Sequence, residues 1–174
     1  LIQANGAIED IKKSNSKSRI VLLTSTPYYD FMSKCPYVDE VLIDKRLPRW
    51  NLFYLYGLKK KLLSYKFTDV FDLQNSSRTR FYNKYLLNTS RWSSTITTLN
   101  PGQKKSDFDK EPVLKRMETQ LIKSGIKIVN IKKSNLNWAI TNIRNITKNY
   151  FNEKYILLFP FCSSKLISKR WPYY

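Results

Sequence analysis

Residues 19–44, RIVLLTSTPYYDFMSKCPYVDEVLID, decide the fold because two apolar runs flank a helical stretch. The first run, 19–24, is short and apolar through its centre, as in the buried strand of a parallel sheet. Pro27 begins a helical stretch that ends at Lys34, and the run 38–43 is typical of the next strand. Strand, helix and strand joined by short connections predict a parallel sheet with flanking helices.

The same alternation continues on both sides of this stretch. Apolar residues recur at helical spacing over 1–13, which predicts a helix before the first strand. A helix is predicted over 52–65, a strand over 68–73, and another helix around 81–86. This pattern is typical of a doubly wound α/β sheet.

The second half of the chain begins with a polar, loop-like stretch over 98–109. The interval 112–124 is predicted to be helical, and Gly125 suits its C-terminal cap. A short strand is predicted over 126–131.

The last part of the chain is interpreted as the start of a second domain. A helical face over 139–150 is followed by a new apolar run over 155–159, which predicts a buried strand. The boundary is therefore placed near Asn152. Residues 1–152 form the first domain in this interpretation, and residues 153–174 begin the second.

The composition excludes several kinds of chemistry. The chain of 174 residues contains no histidine, which excludes histidine-based triads and HExxH metalloprotease sites. Cys35 and Cys162 are its two cysteines, which suits a reducing compartment and argues against a disulfide scaffold or a zinc cluster. No run approaches the roughly 18 apolar residues that a membrane span needs. Catalysis is expected to use carboxylates, hydroxyls, or Lys and Arg as electrostatic stabilisers.

The formal net charge of +18 has two interpretations. Lys outnumbers Arg 22 to 9 and Asn and Ile are abundant, a pattern that AT-rich coding alone can produce. The functional interpretation is attraction to a polyanion such as a phosphorylated lipid surface, a nucleotide-sugar or nucleic acid. Basic residues are spread over both halves of the chain, whereas a dedicated nucleic-acid binder usually concentrates them in a stripe or tail. The lysines at 59–61 form either a solvated helix face or a membrane contact.

The segment 159–172, FPFCSSKLISKRWP, has the features of a pyrophosphate site. A predicted strand ends there, and Pro172 is well placed in the first turn of a helix. Backbone N–H groups and the positive end of a helix dipole would therefore face the loop. The hydroxyls and cations that would bind phosphate are Ser163, Ser164, Lys169 and Arg170. The alternative is an ordinary exposed loop with a solvated Lys-Arg pair.

The segment 72–80, DLQNSSRTR, lies at the carboxyl end of a predicted strand, where ligands bind in open α/β sheets. Ser76 or Ser77 can cap the following helix. Arg78 and Arg80 could bind a phosphate or carboxylate of an acceptor through bidentate bonds. Alternatively, Asp72 caps the strand end and the arginines face solvent.

Taken together, these segments resemble the heptosyltransferases, glycosyltransferase family nine, whose two Rossmann-like halves form a GT-B fold. The resemblance covers nearly the whole chain, and it rests on order and spacing. The segments that carry it are LIQANGAIEDIKK, CPYVDEVLIDKR, TDVFDLQNSSRTR, EPVLKRMETQLIKSGI and FPFCSSKLISKRWP.

The resemblance implies an α/β fold with a Rossmann-like parallel sheet and flanking helices. The chain would comprise the N-terminal, acceptor-side half of a GT-B fold without its first strand, which would leave a gap or an unpaired edge in the sheet. The first strand of the donor-binding domain would follow.

The implied activity is transfer of a heptose from ADP-heptose to a lipid-linked sugar core, by inversion and without a metal or other cofactor. Lys169, with Ser163 and Ser164, would hold the donor phosphates and stabilise the leaving ADP. Arg78, with Asp72 and Gln74, would line the acceptor cleft. The implied location is cytoplasmic, with peripheral contact to the anionic inner membrane.

Two departures from the family pattern leave alternatives open. Phe161 stands where the family usually has a small residue, and its bulk would hinder backbone approach to a phosphate. A GT-B transferase with another nucleotide-sugar donor therefore remains an alternative. The family's acidic residue, which would be the catalytic base or a close helper, would lie before Leu1. No residue of this chain is therefore assigned as the base, and the chain alone is expected to be inactive. From a different class, the alternative is a basic nucleic-acid-binding α/β module.

Overall fold

Two pairs of parallel strands form the sheet layer of the chain, whose computed structural model describes residues 2–87 and 91–140. β1 (Val21–Ser25) pairs with β2 (Glu40–Asp44) in a register that places Val21 opposite Glu40 and Ser25 opposite Asp44. β3 (Val70–Phe71) pairs with β4 (Trp92–Ser93).

The helices lie between and after these strands. Short 3₁₀ turns precede the first and second helices, and a π-helical turn extends the fourth over Asn83–Leu87. The α-helices within the described residues are α1 (Asn5–Ser14), α2 (Tyr29–Met32), α3 (Leu52–Leu63), α4 (Ser77–Tyr82), α5 (Lys105–Phe108) and α6 (Val113–Lys123).

Alternate residues of β1 pack against different helices, as expected of a strand buried on both faces. Ile20 and Leu22 pack against a core formed by α1, α2 and α6. Val21 and Leu23 pack against a second core formed by α3, α4 and the turn after α4. The β1–β2 sheet therefore lies between two groups of helices, and the predicted α/β class with parallel strands and flanking helices is confirmed.

A cavity of about 570 Å³ lies between the edges of the two sheets. Successive residues over 18–25 line it on one side and successive residues over 67–74 line it on the other. Because neighbouring residues of a strand point to opposite faces, an unbroken run of lining residues means that strand edges border the cavity. The described strands thus form two small sheets, whereas the alternation of strands and helices predicted a parallel sheet and the resemblance implied a gap or an unpaired edge in it.

Several predicted elements differ from the structure. The predicted strand over 68–73 contains only two residues in regular pairing, and the predicted loop over 98–109 includes α5. β4 was not predicted, since two residues carry no detectable period. Gly125, with φ of 80°, caps α6 as predicted. Of the predicted helical face over 139–150, Ala139 ends a 3₁₀ turn (Asn137–Ala139). The residues from 141 onward, the predicted strand over 155–159 and the boundary near Asn152 lie outside the described residues.

The predicted strand over 126–131 is wrong, because the carboxylate of Asp10 binds the backbone that a strand would use for pairing. Asp10 accepts hydrogen bonds from the backbone N–H groups of Val129 (3.1 Å), Asn130 (2.9 Å) and Ile131 (3.1 Å). Asp10 itself is buried on α1. The segment therefore lies against a helix, and its amides are satisfied without a sheet.

Gly6 allows this close approach of α1 to the Asp10-bound segment. A Cβ atom at Gly6 would lie 2.3 Å from the carbonyl oxygen of Asn130 and 2.8 Å from the Cα of Ile131. Both neighbours are backbone atoms, so they cannot move aside as the end of a flexible side chain could. The contact requires glycine at this position for its size.

We expect Gly6→Ala to lower the free energy of unfolding by about 2 kcal/mol or more, because the added methyl overpacks two backbone segments. Gly57→Ala is the matched control, since it also lies in a helix and has open space around its Cα. It should raise stability by about 0.5–1 kcal/mol, the helix preference of Ala over Gly. Urea denaturation measures both. Equal stabilities of the two variants would contradict the close approach.

Candidate functional site

The carboxyl ends of the strands meet at one end of the cavity between the sheets. In open α/β sheets this edge is where ligands bind, because loops and helix starts converge there. The polar residues that line the cavity at this end are Thr24, Ser25, Asp44, Arg46, Asp72, Gln74 and Arg78.

Asp44, the last residue of β2, accepts several hydrogen bonds from three other parts of the chain. Its Oδ2 accepts a hydrogen bond of 2.7 Å from the hydroxyl of Tyr82 on α4. Its Oδ1 accepts one of 2.7 Å from the backbone N–H of Arg46 and another from the hydroxyl of Tyr54 on α3. The carboxylate therefore connects β2 to both helices of one layer.

Arg78, near the start of α4, completes this cluster. Its Nε lies 3.3 Å from Oδ2 of Asp44 and also contacts the hydroxyl of Tyr82. The guanidinium stacks over the Tyr82 ring at 5.3 Å from the centroid. The side chains of Arg78 and Asp44 are only 13% and 9% exposed, so the pair is largely shielded from solvent.

The hydrogen bonds of the cluster set the charges of its members. Burial opposes ionisation of Asp44, but the bonds from Tyr54, Tyr82 and Arg46 outweigh it and lower the pKa of this carboxyl below its ordinary value of 3.8. Burial and the bond to Asp44 raise the pKa of Tyr54 to about 12. At neutral pH the cluster therefore holds a carboxylate, two neutral phenols and a guanidinium.

Asp72, just after β3, has a different environment. Its Oδ1 accepts hydrogen bonds from the backbone N–H groups of Gln74 (3.1 Å) and Asn75 (2.8 Å). Its Oδ2 is buried and has no hydrogen-bond partner among the described residues. Burial raises the pKa of Asp72 despite the nearby hydroxyl of Thr79 and the two backbone bonds. Asp72 therefore lines the cavity as a buried carboxyl that keeps one oxygen without a hydrogen-bond partner among the described residues.

The loop that carries Asp72 is fixed by a network of amide side chains. Asn75, at a φ of 52°, donates to Oε1 of Gln120 at 3.0 Å and accepts from the backbone N–H of Thr95 at 2.6 Å. Gln120 is fully buried on α6 and donates to the carbonyl oxygens of Asp72 (3.1 Å) and Ser93 (3.0 Å). The network holds the loop after β3 against β4 and α6.

The structure brings together the three residues predicted to bind an acceptor. Asp72, Gln74 and Arg78 all line the same cavity. The guanidinium of Arg78 is largely occupied by Asp44, its internal partner, whereas Arg80 is exposed. Ser76 is the N-cap of α4 and forms a capping box with Thr79.

The four residues predicted to bind donor phosphate lie outside the described residues. They are Ser163, Ser164, Lys169 and Arg170. Their role remains a prediction.

Sequence reasoning missed Asp44, Arg46, Tyr54 and Tyr82. Asp44 could have been found, because it follows the predicted strand over 38–43 as Asp72 follows its own strand. Arg46 is exposed, lines the cavity and forms no ion pair with any residue the structure describes. Tyr54 and Tyr82 could not be recognised as site residues, because their spacing along the predicted helices indicated only packing in the core.

Comparison with protein-family models, curated protein sequences and solved structures found no match to this chain. Over residues 2–87 and 91–140, no helix combines the length and the apolar character needed to cross a bilayer. The same residues contain no cluster of His, Cys, Asp and Glu side chains that could hold a metal ion.

We expect Arg78→Ala to lower the free energy of unfolding by about 2 kcal/mol at pH 7, because it leaves the buried charge of Asp44 without its cation. The pKa of Asp44 is lowered in the folded state, so its stabilising contribution is present above pH 3.8 and is lost as the pH falls through the folded value. The loss of stability caused by Arg78→Ala should therefore become smaller as the pH falls below 3.8.

Arg80→Ala is the control for this variant, because Arg80 lies on the same helix and is exposed. It should change stability by less than about 0.5 kcal/mol. Urea denaturation from pH 7 to pH 3 separates the two. The buried pair would be contradicted if Arg78→Ala lowered the free energy of unfolding no more than Arg80→Ala does. A loss for Arg78→Ala that does not change with pH would contradict it as well.

Proposed function

We propose that this chain contains the acceptor-side domain of a glycosyltransferase of GT-B type. It would transfer a heptose or a similar sugar from a nucleotide-sugar such as ADP-heptose to a lipopolysaccharide core or another cell-envelope glycan. The observation that supports this most is the cavity end that Asp72, Gln74 and Arg78 share at the carboxyl ends of parallel strands.

The chemistry of this cavity end suits a phosphorylated sugar. Asp72 can accept a hydrogen bond from a sugar hydroxyl through its unpartnered oxygen, and Gln74, which is exposed, can both donate and accept. Arg46 supplies a guanidinium that binds phosphate in a bidentate manner. Arg78 acts indirectly in this arrangement, since it fixes Asp44 and hence the end of β2 beside the site.

The donor side of the proposal rests on the sequence alone. Lys169 and Arg170, with the hydroxyls of Ser163 and Ser164, would bind the donor diphosphate and stabilise the charge that develops on the leaving nucleotide. The reaction would be a displacement with inversion at the anomeric carbon, at the cytoplasmic side of the membrane.

Acceptor binding tests the proposal directly in this chain, because it does not require the donor domain. The probe is a delipidated, phosphorylated lipopolysaccharide core oligosaccharide, titrated while ¹⁵N chemical shifts are recorded. We expect shifts at Arg46, Asp72 and Gln74. Asp72→Asn should weaken binding roughly tenfold to a hundredfold, because a charge-assisted hydrogen bond is lost.

Asp69→Asn is the matched control, since Asp69 lines the other end of the same cavity and forms an ion pair of 2.7 Å with Arg91. It should leave oligosaccharide binding unchanged. The Asp72 variant should be no less stable than the parent, because a raised folded-state pKa means that the ionised carboxyl costs stability at neutral pH. No binding by the parent chain, or equal weakening by both variants, would refute the proposed site.

A further inference from the structure

The stretch 45–68 has an unusual composition for a surface segment. It contains no Asp or Glu, seven Lys or Arg residues and six aromatic residues. These 24 consecutive residues therefore contribute +7 to the formal net charge of +18. The stretch consists of α3 and the two connections that flank it.

Helix α3 is apolar on its outer side as well as on its buried side. Leu55, Leu58 and Leu62 pack into the core. An ordinary surface helix presents polar residues opposite its core face. In α3, by contrast, the outer residues at its start and just before it are apolar and highly exposed: Trp50 (82%), Leu52 (72%), Phe53 (94%) and Tyr56 (71%).

Three lysines adjoin these apolar residues along the same helix. The lysines at 59–61 are all exposed, and none forms an ion pair with a described residue. We call the four exposed apolar residues and these three lysines the α3 patch. It combines an apolar surface with uncompensated positive charge.

The α3 patch is held firmly beside the candidate acceptor site. Asn51 caps α3 by accepting a hydrogen bond of 3.0 Å from the backbone N–H of Tyr54. The hydroxyl of Tyr54 in turn binds Asp44 in the cluster at the carboxyl end of the strands. Arg46, which lines the cavity, lies only four residues before Trp50.

We propose that the α3 patch seats this chain on an anionic lipid surface. Trp and Tyr favour the headgroup level of a bilayer, where an apolar ring and a polar tip are both satisfied. Leu52 and Phe53 would enter the boundary between headgroups and acyl chains, and the lysines would bind the anionic headgroups. The complete lack of carboxylates over 45–68 favours a lipid surface over a protein partner of mixed charge.

Membrane binding through the α3 patch would place the candidate acceptor site near the lipid headgroups. Because α3 and the strand ends share the Asp44 cluster, a chain held by the α3 patch has its cavity end close to the headgroups. A sugar acceptor joined to a lipid would reach Asp72 and Gln74 from that surface. This consequence rests on the proposed glycosyltransferase activity, whereas membrane binding by the α3 patch does not.

Vesicle flotation tests the α3 patch with the whole chain. The probes are vesicles of phosphatidylcholine alone and with about 30% phosphatidylglycerol, at about 0.1 M salt. The chain should float with the anionic vesicles. Each Lys near such a surface contributes about fivefold to binding, so the triple variant Lys59→Ser, Lys60→Ser, Lys61→Ser should bind roughly a hundredfold more weakly.

Two control variants separate the α3 patch from general charge and general hydrophobicity. The triple variant Lys17→Ser, Lys127→Ser, Lys133→Ser removes the same charge from exposed positions elsewhere and should bind within about fivefold of the parent. Trp50→Ser with Phe53→Ser should weaken binding at least tenfold, while Ile122→Ser with Val129→Ser should not. All these side chains are exposed, and urea denaturation checks that each variant folds.

The outcomes are decisive in either direction. Equal losses in the two lysine variants would mean diffuse attraction and would overturn the proposal, as would unchanged binding by the Trp50 and Phe53 variant. A self-association or an oligonucleotide affinity that the patch variants abolish, with vesicle binding unaffected, would also overturn it. Failure of the soluble oligosaccharide to bind would refute the acceptor site and leave the lipid result standing.

Discussion

The buried carboxylate of Asp44 joins parts of the chain that strand pairing does not connect. It ends β2, accepts the hydroxyls of Tyr54 and Tyr82, and pairs with Arg78. Because α4 follows β3, this cluster holds the carboxyl ends of the two sheets at the same edge of the cavity. Such a pair adds little stability relative to apolar packing, but removing one partner is costly. The cluster therefore specifies the arrangement of the site more than it stabilises the fold.

Two aspartates that follow strands in the same way have opposite environments. Asp44 receives enough hydrogen bonds to overcome burial, and its pKa is lowered. Asp72 receives two backbone N–H groups on one oxygen, and burial raises its pKa. A carboxyl with its partners satisfied serves structure, whereas a buried carboxyl with an unpartnered oxygen and a raised pKa is a candidate for function. In the proposed function, Asp72 therefore serves binding, and Asp44 with Arg78 serves positioning.

Sequence patterns predicted the features that depend on neighbouring residues. The continuous apolar run over 19–24 and the capping glycine at 125 lie where β1 and the end of α6 are found. The segment 126–131 was mispredicted because Asp10, more than a hundred residues earlier, binds its amides. Asp72 and Arg78 could be predicted from their place after a strand. The pairing of Arg78 with Asp44 could not, since it depends on how two separate sheets meet.

Tyr54 lies on α3, the helix that carries most of the α3 patch, and its hydroxyl binds Asp44, so α3 connects the surface to the site. That arrangement depends on the contrast between the two aspartates. Carboxyl ¹³C NMR, recorded from pH 2 to pH 7, measures the contrast directly. Asp44 should titrate below 3.8 and Asp72 above it. Identical midpoints, or a higher midpoint for Asp44 than for Asp72, would contradict the account.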